Sequence, residues 1–409
     1  MPERDTFEIS RLGAQGDGVV DSDAGPHFVA RALPGETWRQ TGEGCVRVSS
    51  SPQRRQAPCP HFEHCGGCVA QHMSDALYAS WKSGLVRQAL AHQGIDIEPL
   101  PLWRATEGSR RRVALSAEPT GGDVRLGFRA AGSHELVGIS TCVIAKVEIV
   151  AALPALKELL QLIGSDASLT SETRVHVLAA DNGLDVTVEG VGARLGAATR
   201  QRLAEAASGG DIQRLVVGGE EIYQGMQPVL YSDGIAIRVP PGVFVQAVGE
   251  AETRMAKAVV DGVGRAKRVA DLFCGVGAFA LPLARRARVF AADSDAEAIL
   301  ALSDAVRHAQ GLKPVEAIRR DLFREPLSRT ELRAFEAVVF DPPRAGAAAQ
   351  AEALAKSRVP TVVAVSCNPA TLARDLRTLI DGGYKLRSVL PVDQFLYSAH
   401  VEAVAVLGR

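Results

Sequence analysis

The sequence predicts an α/β protein whose carboxyl-terminal part is a doubly wound, mostly parallel sheet. From residue 244 onward, short apolar segments alternate with helical stretches, which is typical of parallel strands joined by helices. Before residue 244, short strands and turn signals indicate a small β-barrel and then a mixed α+β region. A chain of 409 residues with 46% hydrophobic residues can bury more than one core.

The predicted barrel occupies residues 1–52, where short apolar runs are separated by turns that contain glycine and proline. In the α+β region, residues 53–243, Ser74 predicts the start of a helix that runs to about His92. Two strand pairs are predicted around turn signals at Gly121-Gly122 and Asp181-Asn182-Gly183. Further helices are predicted at 151–163 and 197–207.

The carboxyl-terminal part, residues 244–409, is predicted to begin with a helix at about 250–260. The alternating elements that follow are strand 268–273, helix 278–286, strand 289–292, helix 296–310, strand 337–340, helix 348–357, strand 359–365 and helix 370–380. The last two apolar runs, 386–391 and 401–407, are joined too tightly for a helical crossover. They are therefore predicted to pair as an antiparallel hairpin.

Composition limits the classes of partner and location. A formal net charge of −1 and a pI of about 6.8 give no global attraction to nucleic acid, so RNA would need local basic patches. The most basic sector contains Arg54, Arg55, Arg110, Arg111, Arg112, Arg125 and Arg129. No apolar run approaches the roughly 20 residues of a membrane helix, so we expect a cytoplasmic protein without a membrane segment.

Cys367 is the candidate nucleophile. It follows an apolar strand and precedes a helix, which places it at the edge of the sheet where open α/β folds bind ligands. A helix amino terminus beside the sulfur is expected to lower the pKa of the thiol and favour the attacking thiolate. The competing interpretation is a small buried side chain without a chemical role.

Three further motifs lie at predicted strand ends. Gly275-Val276-Gly277 follows a strand, and Asp293 ends the next one, which favours a nucleoside ligand without a pyrophosphate, such as S-adenosylmethionine. The alternative is an ordinary turn. Asp341, fixed by two prolines, is expected to project into the cleft. Glu402 begins the final strand, and its position by itself favours a surface residue over a general base.

A cysteine triad marks the start of the α+β region. Cys59, Cys65 and Cys68 lie within ten residues of each other, and Cys142 is the best remote candidate for a fourth ligand. A compact triad with one distant thiol favours a [4Fe–4S] cluster. Zinc and metal-free structural thiols are the alternatives.

Together these motifs resemble the RNA uridine-5-methyltransferase family, in its 23S rRNA branch with an amino-terminal TRAM domain. The matching stretches are RLGAQGDGVV, ALPGE, the cysteine triad with Cys142, GVFVQ, DLFCGVGAF, DPPRAG, SCNP and HVE. The resemblance implies an oligonucleotide-binding barrel at 1–52 and an iron–sulfur site within 53–243. It also implies a class I, Rossmann-like, seven-stranded methyltransferase domain at 244–409, with residues 71–103 packed onto it.

The resemblance also implies a reaction and its residues. S-adenosylmethionine would methylate carbon 5 of a uridine in RNA, with 23S rRNA favoured, through a covalent adduct between Cys367 and uracil. Glu402 would be the general base. The cofactor or uracil pocket would contain Gln246, Phe273, Gly275, Gly277, Asp293, Asp321 and Asp341, and a [4Fe–4S] cluster would bind Cys59, Cys65, Cys68 and Cys142. We expect a monomer without an obligate protein partner.

Three positions depart from the family pattern. Ala278 and Val248 stand where the family usually has asparagine, and Asp293 stands where it usually has glutamate. These departures bear on cofactor affinity more than on the type of reaction. They leave open an iron–sulfur RNA-binding protein with weakened or lost catalysis. A transfer RNA uridine-5-methyltransferase is a further alternative.

Overall fold

The structure is a computed structural model that describes residues 6–23, 25–42, 44–192 and 194–409. The first five residues of the predicted barrel lie outside the described residues. No helix in the described part of the chain is long and apolar enough to cross a membrane.

The amino-terminal region consists of short antiparallel strands, as predicted. They are β1 (Thr6–Glu8), β2 (Arg11–Leu12), β3 (Gly18–Val20), β4 (His27–Val29), β5 (Thr37–Thr41) and β6 (Gly44–Arg47). They form two three-stranded sheets with the orders β1-β5-β6 and β2-β3-β4. The small core between them contains Ile9, Val29 and Ala32, all almost fully buried.

The central region contains the next fourteen elements. They are α1 (Asp75–His92), β7 (Trp103–Arg104), β8 (Arg112–Thr120), β9 (Asp123–Arg129), β10 (Leu136–Gly138), α2 (Val147–Ala151), α3 (Leu153–Gly164), β11 (Leu169–Ala180), β12 (Gly183–Val191), α4 (Ala197–Ser208), β13 (Ile212–Val217), β14 (Glu220–Gln224), β15 (Val229–Ser232) and β16 (Ile235–Arg238). A seven-stranded sheet has the order β10-β9-β8-β11-β12-β13-β14. Both predicted strand pairs are present, as β8–β9 and β11–β12.

The carboxyl-terminal region alternates helices and strands, as predicted. Its elements are α5 (Gly249–Val263), β17 (Arg268–Leu272), α6 (Ala280–Ala284), β18 (Arg288–Asp293), α7 (Ala296–His308), β19 (Val315–Arg319), α8 (Arg329–Leu332), β20 (Ala337–Phe340), α9 (Ala348–Ala355), β21 (Thr361–Ser366), α10 (Pro369–Asp381), β22 (Lys385–Asp393) and β23 (Glu402–Gly408). The sequence missed β19 because this half-exposed edge strand carries charged residues and lacks an apolar run.

The large sheet has eight strands in the order β19-β18-β17-β20-β21-β23-β22-β7. The first five are parallel, and β23 runs antiparallel to both of its neighbours, which confirms the predicted final hairpin. Seven of the strands come from residues 244–409, and β7 from the central region adds an eighth. Helices cover both faces of the sheet, so the central strands are buried on both sides.

Two parts of the central region pack on this sheet. Helix α1 contributes Val86 and Leu90 to the same core as Leu376 of α10. The hairpin β15–β16 contributes Leu230 and Ile237 to the core on the opposite face. The start of α1 is fixed by the side chain of Ser74, which accepts a hydrogen bond from the backbone N–H of Leu77, as predicted for a helix cap.

A buried ion pair ties α1 to the end of β22. Lys82 Nζ lies 2.8 Å from an Asp393 carboxylate oxygen, and both side chains are fully buried. The Tyr78 hydroxyl donates to the other carboxylate oxygen of Asp393 and accepts from the backbone N–H of Tyr397. Removing one partner of such a pair leaves a buried charge uncompensated, which costs about 3–5 kcal/mol. The segment between β22 and β23 is thereby held against α1.

Candidate active site

Several residues singled out in the sequence meet at one edge of the large sheet. Phe273 follows β17, Asp293 ends β18, Asp341 follows β20, and Cys367 follows β21. These strands are parallel, so their carboxyl ends lie at the same edge. The order of the strands brings these motifs together although they are up to about a hundred residues apart in the chain.

Glu402 reaches the same edge because β23 is antiparallel. Ala403 pairs with Ser366, so the beginning of β23 lies beside the end of β21 and close to Cys367. The Glu402 side chain is buried, with the residue only 4% exposed. The surface position favoured by its sequence context alone is therefore wrong.

The pKa of the Cys367 thiol is raised to about 11. Burial is the main cause, and the nearby carboxyl groups of Glu402 and Asp341 add to it. Helix α10 does begin directly after this residue, with Asn368 as its cap. The predicted lowering of the thiol pKa is nevertheless wrong, because burial and two acidic neighbours outweigh the helix terminus.

A chain of hydrogen bonds joins Asp341 and Glu402. Gln246 Nε2 donates to Asp341 Oδ2 over 3.3 Å, and Gln394 Nε2 donates to Gln246 Oε1 and Glu402 Oε1, each over 2.8 Å. The sequence analysis missed Gln394. Its only signal was a polar pair, Asp393-Gln394, at the end of an apolar strand.

Both acids in this chain have raised pKa values. Burial raises the pKa of Asp341 to about 7, although the hydrogen bond from Gln246 opposes the shift. Burial and then the charge of Asp341 raise the pKa of Glu402 to about 8, with Gln394 acting in the opposite direction. Carboxyl groups with pKa values near neutrality suit proton transfer at physiological pH.

The glycine loop after β17 leaves room for a ligand. Gly275 has a positive φ of 52°, and a Cβ atom placed there would meet nothing within 4 Å. Its backbone N–H donates to Asp293 Oδ2 over 2.8 Å, and the backbone N–H of Asp295 donates to the other oxygen over 2.9 Å. The shorter acid at position 293 thus ties the loop to the end of β18.

Gly277 serves packing. A Cβ atom at this position would lie 2.5 Å from Leu302 Cδ1, so the glycine allows α7 to approach the loop. Of the other two departures from the family pattern, Ala278 lines the cavity, and Val248 is buried in the core at the start of α5 without forming a side-chain cap.

Two phenylalanines form an aromatic pair on the same side of the site. The rings of Phe273 and Phe323 lie 5.4 Å apart, and Phe323 is 51% exposed. Asp321 lies beside the cavity lining and fixes this pair, because its Oδ1 accepts the backbone N–H of Phe323 over 3.0 Å. An exposed ring pair suits a flat purine. The sequence analysis missed Phe323, which lies in a short loop without a recognisable motif.

One cavity of about 960 Å³ joins these features to the cysteines. The predicted catalytic, cofactor-binding and metal-ligating residues that line it are Gln246, Phe273, Gly275, Asp293, Asp341, Cys367, Glu402, Cys59, Cys65, Cys68 and Cys142. We call Asp341, Cys367 and Glu402 the catalytic wall, and Cys59, Cys65, Cys68 and Cys142 the cysteine wall.

The thiols of the cysteine wall are close enough to influence one another. The pKa of Cys68 is raised to about 12, mainly by burial, with smaller contributions from the neighbouring thiols Cys142, Cys65 and Cys59. The backbone N–H of Gly67 donates to Cys65 Sγ over 3.4 Å. Across the described ranges, no group of three or more His, Cys, Asp or Glu side chains has the geometry to hold a metal ion. This finding supports neither the predicted [4Fe–4S] cluster nor the zinc alternative.

The seven arginines of the basic sector differ in their surroundings: some form ion pairs, and others line the cavity. Four of the seven arginines form ion pairs with carboxylates: Arg54 with Glu36, Arg55 with Asp75, Arg111 with Glu252 and Arg129 with Glu118. Arg110 and Arg112 line the cavity, and neither forms an ion pair with a described carboxylate. Arg112 lies 4.5 Å from the ring centre of Phe244. The basic surface inside the cavity is therefore smaller than the sequence indicated.

Comparison with known proteins identifies the family. The sequence profile of the tRNA (uracil-5-)-methyltransferase family matches residues 212–409. An RNA methyltransferase of Rhizobium meliloti (strain 1021) is 46% identical over 99% of both chains. The 23S rRNA (uracil(1939)-C(5))-methyltransferase RlmD of Enterobacter sp. (strain 638) is 31% identical, over 98% of this chain and 95% of that protein.

A solved structure supports the fold. The crystal structure of Pyrococcus abyssi tRNA (uracil-54, C5)-methyltransferase in complex with S-adenosyl-L-homocysteine is similar over 98% of this chain and 100% of that chain, with a TM-score of 0.76 and 22% identity. The predicted α/β methyltransferase fold and the predicted enzyme class are confirmed. The chain belongs to the family of S-adenosylmethionine-dependent RNA uracil-5-methyltransferases.

Proposed function

We propose that this enzyme methylates carbon 5 of a uridine in 23S rRNA through a covalent adduct between Cys367 and uracil. The observation that carries the proposal is the catalytic wall, in which a thiol, the buried acid Glu402 and the half-buried acid Asp341 line one cavity. Carbon 5 of uracil is a weak nucleophile, so a reaction at this carbon needs a group that first adds to carbon 6. Cys367 is the thiol at the catalytic wall that supplies it.

Each residue of the catalytic wall has a step in this proposal. The Cys367 thiol gives up its proton to solvent, and its sulfur forms a bond to carbon 6 of uracil while the C5–C6 double bond opens to give an enolate. S-adenosylmethionine supplies the methyl group and a nearby positive charge. Glu402, as a carboxylate, then removes the proton left on carbon 5, which lets the Cys367 sulfur leave. Asp341 and Gln246 hold the polar edge of the uracil ring.

The cofactor side of the cavity is assigned to the glycine loop and the aromatic pair. Asp293 accepts hydrogen bonds from ribose hydroxyls, and Phe273 with Phe323 contacts the adenine ring. Gly275 lets the backbone approach the ligand. Gly277 and Asp321 act indirectly, since the first admits α7 and the second positions Phe323.

Ribosomal RNA is the favoured substrate, because the Enterobacter relative, 31% identical over nearly the whole chain, is named for 23S rRNA. Transfer RNA is the second candidate, because the family profile and the Pyrococcus structure carry transfer RNA names. Residues 6–48 and the arginines of the cavity would hold the strand around a uridine turned out of its stack. The proposed domains are residues 1–52, 53–243 and 244–409.

The cysteine wall is proposed to hold a [4Fe–4S] cluster. Four thiols line the same cavity, two of them buried and two half-buried, and the backbone N–H of Gly67 donates to one sulfur. Among the described residues no group of three or more such side chains is arranged to hold a metal ion, so the proposal stands on the number of the thiols and their influence on one another. Its role would be to fix the loops that line the RNA side of the cavity.

The test uses the full-length enzyme, labelled S-adenosylmethionine, and 23S rRNA or transfer RNA transcripts. We expect label in the 23S transcript at carbon 5 of uridine. A transcript with 5-fluorouridine should trap a covalent complex, because fluorine does not leave as a proton. The complex should be absent with Cys367→Ser.

The other outcomes decide between the candidates. Label in transfer RNA alone would mean that transfer RNA, and not 23S rRNA, is the substrate. Binding of RNA without label and without a covalent complex would support a protein that has lost catalysis. Label at a ring nitrogen or a ribose oxygen would overturn the proposed chemistry.

A further inference from the structure

Gln394 lies behind the catalytic wall and is 1% exposed. Its Nε2 donates to Gln246 and to Glu402, and its Oε1 accepts the backbone N–H of Ala247 over 3.2 Å. The backbone N–H is always a donor, so the amide oxygen of Gln394 must face Ala247. Its two N–H groups are then directed at Gln246 and Glu402.

The orientation of the Gln394 amide also determines that of the Gln246 amide. Because Gln246 Oε1 accepts from Gln394, its Nε2 is the atom that faces Asp341. One N–H of Gln246 is used there, and the second has no acceptor among the described residues. Gln394 therefore determines which polar group Gln246 presents to the cavity.

Glu402 depends on Gln394 even more directly. Within the part of the chain that the structure describes, its carboxyl group makes one hydrogen bond, and Gln394 is the donor. Burial and the charge of Asp341 disfavour the carboxylate form of Glu402, and this donor opposes them. A general base must be both ionised and correctly oriented, and Gln394 contributes to each requirement.

Helix α1 fixes the backbone on both sides of Gln394. The preceding residue, Asp393, is held by Lys82 and Tyr78 of α1, and Lys82 Nζ also donates to the backbone oxygen of Phe395 over 3.3 Å. The residues on both sides of Gln394 are thus anchored in the core. The backbone that carries its amide is therefore fixed in place.

We propose that Gln394 is a positioning residue, which holds Glu402 for removal of the carbon 5 proton and aligns Gln246 with Asp341. This inference rests on the proposed function of Cys367 and Glu402. In the step concerned, Glu402 takes the proton, and the electrons of the C5–H bond re-form the C5–C6 double bond. The C6–S bond breaks, and its electrons leave with the Cys367 sulfur.

The test is Gln394→Met in the full-length enzyme, with unmodified RNA and labelled S-adenosylmethionine. Methionine keeps the volume but cannot donate. We expect a methylated covalent protein–RNA complex to accumulate, with release of product slowed about tenfold or more. The pH at which release is half-maximal should move upward, because Glu402 loses the donor that favours its carboxylate form.

Gln350→Met is the matched control. Gln350 is also 1% exposed, and its amide bonds only to the backbone of Leu327, away from the cavity. It should lower the melting temperature without slowing release or moving its pH dependence. Gln394→Glu is the second variant, since it keeps an acceptor for Ala247 and should also slow release if Gln394→Met folds poorly.

Two results have distinct meanings. Release at the wild-type rate with an unchanged pH dependence in either Gln394 variant would overturn the inference. If the wild-type enzyme forms no complex with 5-fluorouridine RNA, the proposed function fails first, whatever the Gln394 variants do.

Discussion

The two walls of the cavity are built in different ways. The catalytic wall stands on strand ends, where backbone pairing between neighbours fixes the place of Asp341, Cys367 and Glu402. The cysteine wall stands on loops, which are held by turns and by backbone contacts such as that of Val69 with Tyr397. Each wall contains a thiol whose pKa is raised, Cys367 in the catalytic wall and Cys68 in the cysteine wall.

The causes of these raised pKa values differ. Around Cys367, two acids add to the effect of burial, whereas around Cys68 the neighbours are other thiols. The first arrangement suits proton transfer during a reaction. The second suits a ligand that replaces several protons at once, because metal binding requires thiolates. The chemical role of a thiol in this cavity therefore depends on the groups that surround it.

Cys367→Ala is expected to produce the largest effect and tests the catalytic wall directly. Without the thiol no adduct forms, so methylation should fall by a factor on the order of 10⁴ or more. The measurement is label transfer to RNA. The iron content should stay unchanged, and a loss of iron would mean that the two walls are not independent.

Glu402→Gln should separate the two halves of the reaction. The thiol can still add and the methyl group can still transfer, but removal of the carbon 5 proton should slow about 10²–10⁴-fold. A methylated covalent complex with unmodified RNA should therefore accumulate and be visible by denaturing electrophoresis. Rapid release from this variant would show that another group is the base.

Cys65→Ala tests the cysteine wall. We expect loss of bound iron and of broad visible absorbance, with a lower melting temperature, because the remaining thiols cannot hold a cluster. Methylation should fall by about tenfold, much less than in Cys367→Ala, since this wall supports loops and not bond changes. Cys45→Ala is the control, because Cys45 lies outside both walls. Equal losses in the two cysteine variants would contradict the distinction.

Phe323→Ala should weaken cofactor binding modestly. The ring is half exposed, so the lost stacking is expected to raise the Kd for S-adenosylmethionine about fivefold, with adduct release unchanged. The Kd is measured by titration calorimetry on the full-length enzyme. A change in release instead of affinity would place Phe323 on the RNA side of the cavity.

The smallest effect concerns stability and pH. Folding raises the pKa of Glu402 from an ordinary value of 4.5 to about 8, so the folded state binds more protons between these values. This contribution therefore lowers stability as pH rises from about 4.5 to 8. Glu402→Gln should melt higher than wild type at pH 8, by about 3 °C or more, with the difference fading toward pH 4.5.

Glu331 provides a control of opposite sign for this experiment. Arg320 is the main cause that lowers the pKa of Glu331 to about 2, so its contribution to stability is present above about 4.5 and is lost as pH falls toward 2. Glu331→Gln should therefore melt lower than wild type at neutral pH. If both variants shift in the same direction, the assigned burial of Glu402 is wrong.

Much of the fold followed from local pattern. Apolar runs and turn residues predicted the final hairpin and nearly all of the parallel strands, because burial on both faces leaves a continuous apolar run. The half-exposed strand β19 was not predicted, because it lacks such an apolar run. In the site, Cys367 and Asp341 were found because strand ends are readable from sequence.

The residues that were missed act through tertiary contacts. Gln394 and Phe323 have no motif, and their relevance depends on bonds to residues distant in the chain or on a short loop. The thiol pKa was predicted in the wrong direction because the sequence shows the helix that follows Cys367 but not the acids that surround it.

The strand-and-helix pattern, the chemical groups at the strand ends and the family that they indicate were all predictable from sequence. These properties depend on local periodicity and on residue type. Only the three-dimensional arrangement shows that Glu402 is buried beside Cys367, that both walls share one cavity, and which arginines have no acidic partner among the described residues. Burial and charge proximity act through space, so these properties appear only when distant segments are brought together.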